Sequence, residues 1–263
     1  MRMSPALLFI LAVAALSSPA TAQSFEEDMA VADSLTDELK PAEALERYRA
    51  AYASDPTSYE AMWKFAGAQI DVAKQLVEKK QRDEQDSLFF VAHLYADAAV
   101  RTDSTDPEGY FMLAQALGRL SRTKGGRERV QFGKEIYNAA ASALAINPDH
   151  DGAHHVIGAW HAEVKRLSGV ARFVAKTFLG GDYLGRASWD SAVAHLEKAV
   201  ELRPEYTYHL LELAEVYLDL KRYDDARVQF ERMADLPPSD VLDPHHKETA
   251  LRHLKKIANT EGA

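Results

Sequence analysis

The sequence predicts an all-α solenoid of about five helix pairs with a C-terminal capping helix, and three observations carry that prediction. Four dipeptides, Asp55-Pro56, Asn147-Pro148, Arg203-Pro204 and Pro237-Pro238, each close an alanine-punctuated run of helical period. Counting back from each closing proline gives one recurring frame: Ala44, Tyr48, Ala51, Pro56, then Ala192, Leu196, Ala199, Pro204, then Ala226, Phe230, Met233, Pro238. No run of alternating apolar and polar residues reads as a strand.

These are the second-helix positions of a tetratricopeptide repeat, where small residues let two helices approach closely and proline ends the unit. Ile136, Ala140, Ala143 and Pro148 fit the frame with one substitution, and Ala92, Ala96, Ala99 and Ser104 fit with serine for proline. The first helices follow in phase. Units beginning at Phe25, Tyr59, Pro107, Asp151 and Thr207 place Val31-Ala32, Phe65-Ala66, Leu113-Ala114, Ile157-Gly158 and Leu213-Ala214 at a large-small pair. The first and last units have the standard repeat length. The middle three carry extra residues between their helices, at about 73–91, 119–135 and 165–187.

Start signals agree with this phasing. Thr57 with Glu60 reads as a capping box, and Asp106-Pro107 and Asp243-Pro244 read as an N-cap followed by proline at the first helical position. From Asp243 onward a polar helix covers the last repeat, as a solenoid end requires for solubility. The first 22 residues stand outside this frame. Arg2, the apolar run Ala6 to Leu16 and the small residues Ala20-Thr21-Ala22 form the layout of a secretory signal peptide, with cleavage expected after Ala22. An exported protein, periplasmic or secreted, with one domain over residues 23–263 is the expectation.

The net charge of −9 argues against nucleic acid as a partner, because phosphate backbones are bound through an excess of Lys and Arg. With no cysteine, thiolate metal sites, cysteine nucleophiles and disulfides are excluded. The glycines between 126 and 134 have the wrong spacing for a phosphate loop, and Glu135 stands where Ser or Thr is needed. Neither a Gly-x-Ser-x-Gly elbow nor a His-Glu-x-x-His helix is present. No catalytic site, cofactor or metal is expected.

Histidine clusters late in the chain, with four between 150 and 161. His154 and His161 are seven apart and share a helix face, so a divalent metal with a third ligand is one reading. The repeat frame favours another: both occupy positions that pack between helices, as hydrogen-bonded core histidines. His245 and His246, near the start of the last helix, are expected at the surface.

The concave face gives the functional expectation. The fifth position of successive first helices is Trp63, Phe111, His155 and Leu211; the ninth is Gly67, Gln115, Ala159 and Glu215. Large groups over a floor of small ones make a groove for an extended peptide, a helix or an acyl chain, and Tyr208 adds a polar tip. Two inserts are basic in this acidic chain. One includes Arg127 and Arg129; the other includes Arg166, Arg172 and Lys176, with Val170, Phe173, Val174 and Phe178 at helical spacing. Such an amphipathic segment either lies on an anionic membrane or seals the solenoid with its apolar face.

Two stretches carry a more specific resemblance. His154-His155-Val156-Ile157-Gly158-Ala159-Trp160-His161, followed by Lys165-Arg166-Leu167-Ser168 and Phe178-Leu179-Gly180-Gly181, is one; Leu236-Pro237-Pro238 with Asp243-Pro244 is the other. Together with the over-long repeats, they resemble the regulator of microtubule dynamics family and its bacterial relatives, over roughly residues 40 to 258. The resemblance implies a tetratricopeptide-like domain without enzymatic activity. In eukaryotic members it further implies association with microtubules and organelle contact sites and, in one branch, phospholipid binding and transfer. The expected function is a non-catalytic scaffold that binds a protein or peptide partner in its groove. The alternative is a carrier of an anionic lipid or fatty acid, using the groove for the chain and the basic inserts for the headgroup.

Overall fold

In the computed structural model the second-helix positions of the repeat frame are buried, while the closing prolines stand exposed. Ala92, Ala96, Ala99, Ala192, Leu196 and Ala199 are wholly inaccessible, and Ala44, Tyr48, Phe230 and Met233 nearly so. The structure describes residues 19–122, 124–179 and 181–261. The apolar run at 6–16 lies outside them.

Twelve α-helices are present among the described residues, without strands: α1 Pro19–Asp37, α2 Pro41–Ser54, α3 Tyr59–Gln75, α4 Arg82–Thr102, α5 Pro107–Ser121, α6 Gly126–Ile146, α7 Asp151–Arg166, α8 Gly169–Phe178, α9 Trp189–Leu202, α10 Thr207–Asp219, α11 Tyr223–Arg232 and α12 Asp243–Glu261. Four first helices begin at the residues the repeat phase names: Tyr59, Pro107, Asp151 and Thr207. The pairs α1/α2, α3/α4, α5/α6, α7/α9 and α10/α11 form the five units, and α12 packs on α11 and α10. Helix α1 starts at Pro19 and so runs through the expected cleavage position after Ala22. No helix among the described residues is long and apolar enough to cross a membrane.

The extra residues of the three long units take two forms. In units 2 and 3 most of them join the second helix, so that α4 and α6 each reach 21 residues. In unit 4 they form α8 and a short 3-10 turn at Asp182–Arg186, inserted between α7 and its partner α9.

Local chemistry explains the joints. Asp106 caps α5, accepting from Glu108 N–H at 2.9 Å with Pro107 in the first turn. Tyr59 donates its hydroxyl to the same carboxylate at 2.6 Å and accepts from Gly109 N–H at 2.7 Å, which locks the start of unit 2 to the start of unit 3. At α3 the cap is Ser58, accepting from Ala61 N–H, rather than Thr57; the Thr57 hydroxyl is held by Asp55 instead. Asp55 wins because the closing Asp-Pro turn brings its carboxylate within reach of both Thr57 donors.

Unit 5 ends on a segment that turns back on the rest of the molecule. Residues Ser239, Asp240 and Val241 line one cleft with Leu39 and Pro41 of the α1–α2 turn and with Ala68 and Asp71 of α3. There Lys74 Nζ meets Asp240 Oδ2 at 2.8 Å, with both side chains buried, and Tyr206 donates to the same oxygen at 2.9 Å. Asp243 holds this segment in place by accepting from the N–H groups of Ser239 and Asp240 and from the Thr207 hydroxyl. The solenoid is therefore clasped, from its last unit to its second.

Candidate functional site

Clasping turns the concave groove into a cavity of about 820 Å³. Helix α7 lines it from His150 at its N-cap to Leu167 beyond its C-terminus, a run of ~25 Å at 1.5 Å per residue. Facing α7 are Phe111, Gln115, Gly118 and Arg119 of α5, Arg122 at its C-cap, and Arg129, Val130, Gly133 and Ile136 of α6. Tyr206, Tyr208 and His209 close the side next to the N-terminus of α7. Under α8 the wall is apolar: Val156, Trp160, Val164, Leu179 and Leu184.

The five groove residues named from sequence separate here. Phe111, His155 and Tyr208 line the cavity. Trp63, half-buried on α3, does not, and Leu211 is buried in the core cluster that also holds Ala162. A fixed repeat position rotates relative to the groove as the solenoid curves, so one register number does not face the same space in every unit. The floor holds better, since Gln115, Gly118 and Ala159 all line the cavity.

The basic residues also divide. Arg166 is spent on carboxylates: Glu163 and Glu212 at 3.0 Å and Asp219 at 2.8 Å. Arg172 donates to the carbonyls of Lys165 and Leu167, capping the end of α7. Arg127, Arg129 and Lys176 are exposed, and none is in an ion pair among the described residues. Arg119, readable from sequence only as the first charge of the basic insert and not as a groove residue, has its guanidinium 5.9 Å from the Tyr208 ring centre inside the cavity. Its place near the C-terminal end of the first helix of unit 3, facing the groove, was the available signal.

The polar end has a defined set of tautomers. His209 Nε2 lies 2.9 Å from Asp151 Oδ2, a carboxylate that only accepts, so Nε2 carries the proton. His209 Nδ1 is then an acceptor for His155 Nδ1–H at 3.0 Å, and His155 is left with Nε2 as its acceptor atom. Burial, with His209 and Arg119 nearby, holds His155 far below its ordinary pKa, so the ring is neutral at neutral pH. Burial opposes ionisation of Asp151, but the hydrogen bond and electrostatic attraction of His209, the Arg203 charge and the Gly152 N–H together outweigh it, and its pKa falls to about 2. His150 has the opposite polarity: its Nδ1 accepts from Ala153 N–H at 3.1 Å, so the buried Nε2–H is a donor, without a hydrogen-bond partner, 3.4 Å from Glu108. The cavity end thus offers an acceptor, a donor and a guanidinium. That set recognises amide and carboxylate groups.

His161 packs in the core, and His154 packs half-buried between helices. His154 meets His195 Nδ1 to Nδ1 at 2.9 Å and the Pro148 carbonyl at 2.9 Å, while His161 Nδ1 accepts from Ser188 N–H at 3.3 Å. Among the described residues, no group of three His, Asp or Glu side chains is arranged to hold a metal. His246, in contrast to the surface position expected of it, is buried and stacked on Tyr208 at 4.9 Å, because the clasp draws the start of α12 against α10. Burial pushes His195 down to about 4. A depressed folded-state pKa gives stability that is present above the ordinary value near 6.5 and lost as pH falls toward 4. NMR titration is expected to give His195 a midpoint near 4. His195→Gln should lose less thermal stability than the wild type between pH 7 and 4.5; an equal loss would remove His195 from the acid response.

Comparison with known proteins places this geometry among relatives. The family profile of regulator of microtubule dynamics protein 1-3 matches residues 28–258. Regulator of microtubule dynamics protein 3 from Bos taurus is 25% identical over 177 residues, covering 67% of this chain and 36% of that protein. Regulator of microtubule dynamics protein 1 from Bos taurus is 22% identical over 201 residues, covering 76% and 62%. The chain thus spans between about a third and three fifths of the length of these relatives. Among solved structures, a thermophilic TPR protein of Thermus thermophilus superposes with a TM-score of 0.63 at 21% identity, over 87% of this chain and 99% of that one. The Pseudomonas aeruginosa pilF protein does so with a TM-score of 0.53 at 14% identity, over 92% and 90%. At these identities the two structures establish the tetratricopeptide fold.

Proposed function

The chain belongs to the regulator of microtubule dynamics protein 1-3 family, and on that footing we propose that it is a non-catalytic scaffold whose clasped cavity holds an extended segment of a protein partner. One observation carries the reading: away from the apolar wall beneath α8, polar and charged groups line the cavity. Arg119, Arg122 and Arg129 line it together with Glu108, Asp151 and Glu163, and His150 and His155 add a donor and an acceptor. A peptide main chain, with a donor and an acceptor at every residue, matches such a wall. The tetratricopeptide fold supports protein binding in general, and the extended segment is the more specific form of it that this wall favours. Export through the leader-like first 22 residues is part of the same proposal.

A second reading rests on a different observation. The end beneath α8 is walled by Val156, Trp160, Val164, Leu179 and Leu184, an apolar compartment with arginines at its mouth. It suits the chain of an anionic lipid or fatty acid.

Native mass spectrometry of protein purified gently from its own envelope fraction distinguishes the two. A bound polypeptide supports the scaffold; the added mass of one phospholipid or fatty acid replaces it with the carrier. Ala159→Trp fills the middle of the cavity from a half-buried floor position and is expected to reduce occupancy at least tenfold with the fold intact. Undiminished binding by that variant would move the partner out of the cavity.

A further inference from the structure

Helix α8 has two faces with different surroundings. Ala175 is buried and, with Ala171 and Leu179, lines the cavity. Val170, Phe173, Val174 and Thr177, at i, i+3, i+4 and i+7, form one exposed stripe, of which Val174 also borders the cavity. Val170 is 75% and Phe173 63% exposed, the largest such values among the exposed large apolar residues after Val77. Of the apolar face expected from sequence to lie on a membrane or seal the solenoid, Val170 and Phe173 stand in water, Val174 borders the cavity, and the Phe178 side chain lies outside what the structure describes. Ala175 holds the helix to the solenoid, and Val170 and Phe173 are left in water.

Charge gathers around the same stripe. Helices α6 and α8 are in contact, and Arg129 of the first lines the cavity together with Val174 of the second. Tyr183, just after α8, donates its hydroxyl to the Val130 carbonyl, and Trp160 Nε1 donates to the Gly133 carbonyl at 2.7 Å, fixing the start of α6 beside the insert. The two basic segments, far apart in sequence, thus meet at one rim. Arg127, Arg129, Lys134 and Lys176 are exposed on these two segments, against Glu128 and Glu135 on α6 and, with no acid between 165 and 181, Asp182 just beyond the insert. A local positive field on a chain of net charge −9 implies an occupant that is negative and presents an apolar layer just behind its charge.

We propose that α8 and the start of α6 form a docking surface for an anionic phospholipid bilayer, with Val170, Phe173 and Val174 inserting at the headgroup boundary and Arg127, Arg129, Lys134 and Lys176 facing the lipid charge. A short amphipathic helix binds a membrane weakly unless basic groups add to it, and here a second helix supplies them. The surface adjoins the cavity through Arg129 and Val174, and it functions in the same way for a peptide scaffold and for a lipid carrier. Docking in this orientation places the α8 end of the cavity at the membrane.

The full mature protein is tested by co-sedimentation with phosphatidylcholine vesicles and with vesicles that also contain phosphatidylglycerol. Binding is expected to the second kind and to weaken as salt is raised. The double variant Val170→Asp with Phe173→Asp changes only exposed side chains, so its thermal midpoint should stay at the wild-type value while vesicle binding falls at least tenfold. Arg127→Glu with Lys176→Glu should lose binding to the anionic vesicles at low salt. The proposal is overturned if the wild type leaves anionic vesicles in the supernatant, or if either double variant binds as the wild type does. It is equally overturned if sedimentation shows a dimer that the Val170→Asp, Phe173→Asp variant splits, since the stripe then belongs to a second copy of the chain.

Discussion

Asp240→Ala is expected to lower the stability of the protein by about 3 kcal/mol, a loss of more than a hundredfold in the folding constant. The substitution leaves the Lys74 ammonium buried beside an empty space. Burial by itself lowers the Lys74 pKa, but the carboxylates of Asp71 and Asp240 outweigh it and hold the group above its ordinary value. Asp71 remains in the variant at 2.8 Å, but it is partly exposed and cannot replace the buried partner. Tyr206 loses its acceptor and Leu242 N–H loses the Asp240 Oδ1 cap at the same time. A buried ion pair removed whole is often nearly neutral, whereas removing half of one is strongly destabilising. The double variant Lys74→Met with Asp240→Leu should therefore recover most of the loss in urea unfolding. A double variant as unstable as the single one would show that the penalty is not the orphaned charge.

Gly158→Val is the second large effect, expected to destabilise by roughly 3 kcal/mol through overpacking. Even one carbon added at Gly158 would lie 2.6 Å from Leu196 Cγ and 3.1 Å from the Ala192 carbonyl oxygen. Leu196 is wholly buried and the carbonyl belongs to the backbone of α9, so neither can yield without separating α7 from α9. Gly67 provides the contrast. There an added carbon would meet only Met112 Sδ, at 3.5 Å, an ordinary contact. Gly67→Ala, in the interior of α3, should gain up to ~1 kcal/mol of helix propensity. Thermal unfolding of both variants checks the pair: equal midpoints would refute the argument from close approach.

How much of this could be read from the sequence depended on the range over which each feature is determined. The helix starts at Tyr59, Pro107, Asp151 and Thr207 are set within a turn or two, by caps and by the large-small register, and were legible. So was the buried alanine frame, because close helix approach selects small residues wherever it occurs. The extra residues of units 2 and 3 were harder. A stretch such as Asp83 to Leu88 carries no proline or glycine, and nothing local separates a loop from added turns of α4. Phe111, His155 and Tyr208 were legible as groove residues, and Trp63 and Leu211 diverged from them because curvature accumulates from unit to unit. Lys74, Asp240 and buried His246 were not legible at all. Their partners are set by where the last unit arrives after all the others have packed, and no local period encodes that position.

The contact between Lys74 and Asp240 joins positions 166 residues apart, and its effect extends to how the chain comes apart and forms. An open stack of repeats frays, since each unit touches only its neighbours and the terminal ones peel off singly. A closed ring has no free terminal unit at that joint. Amide hydrogens of α10 and α11 should therefore exchange at rates close to those of α3, through one shared opening, instead of grading from centre to end. Closing so long a loop carries an entropic barrier on the order of 4–5 kcal/mol beyond its constant part. Folding of this chain should accordingly be slower than that of a linear repeat protein of equal size, and more nearly all-or-none.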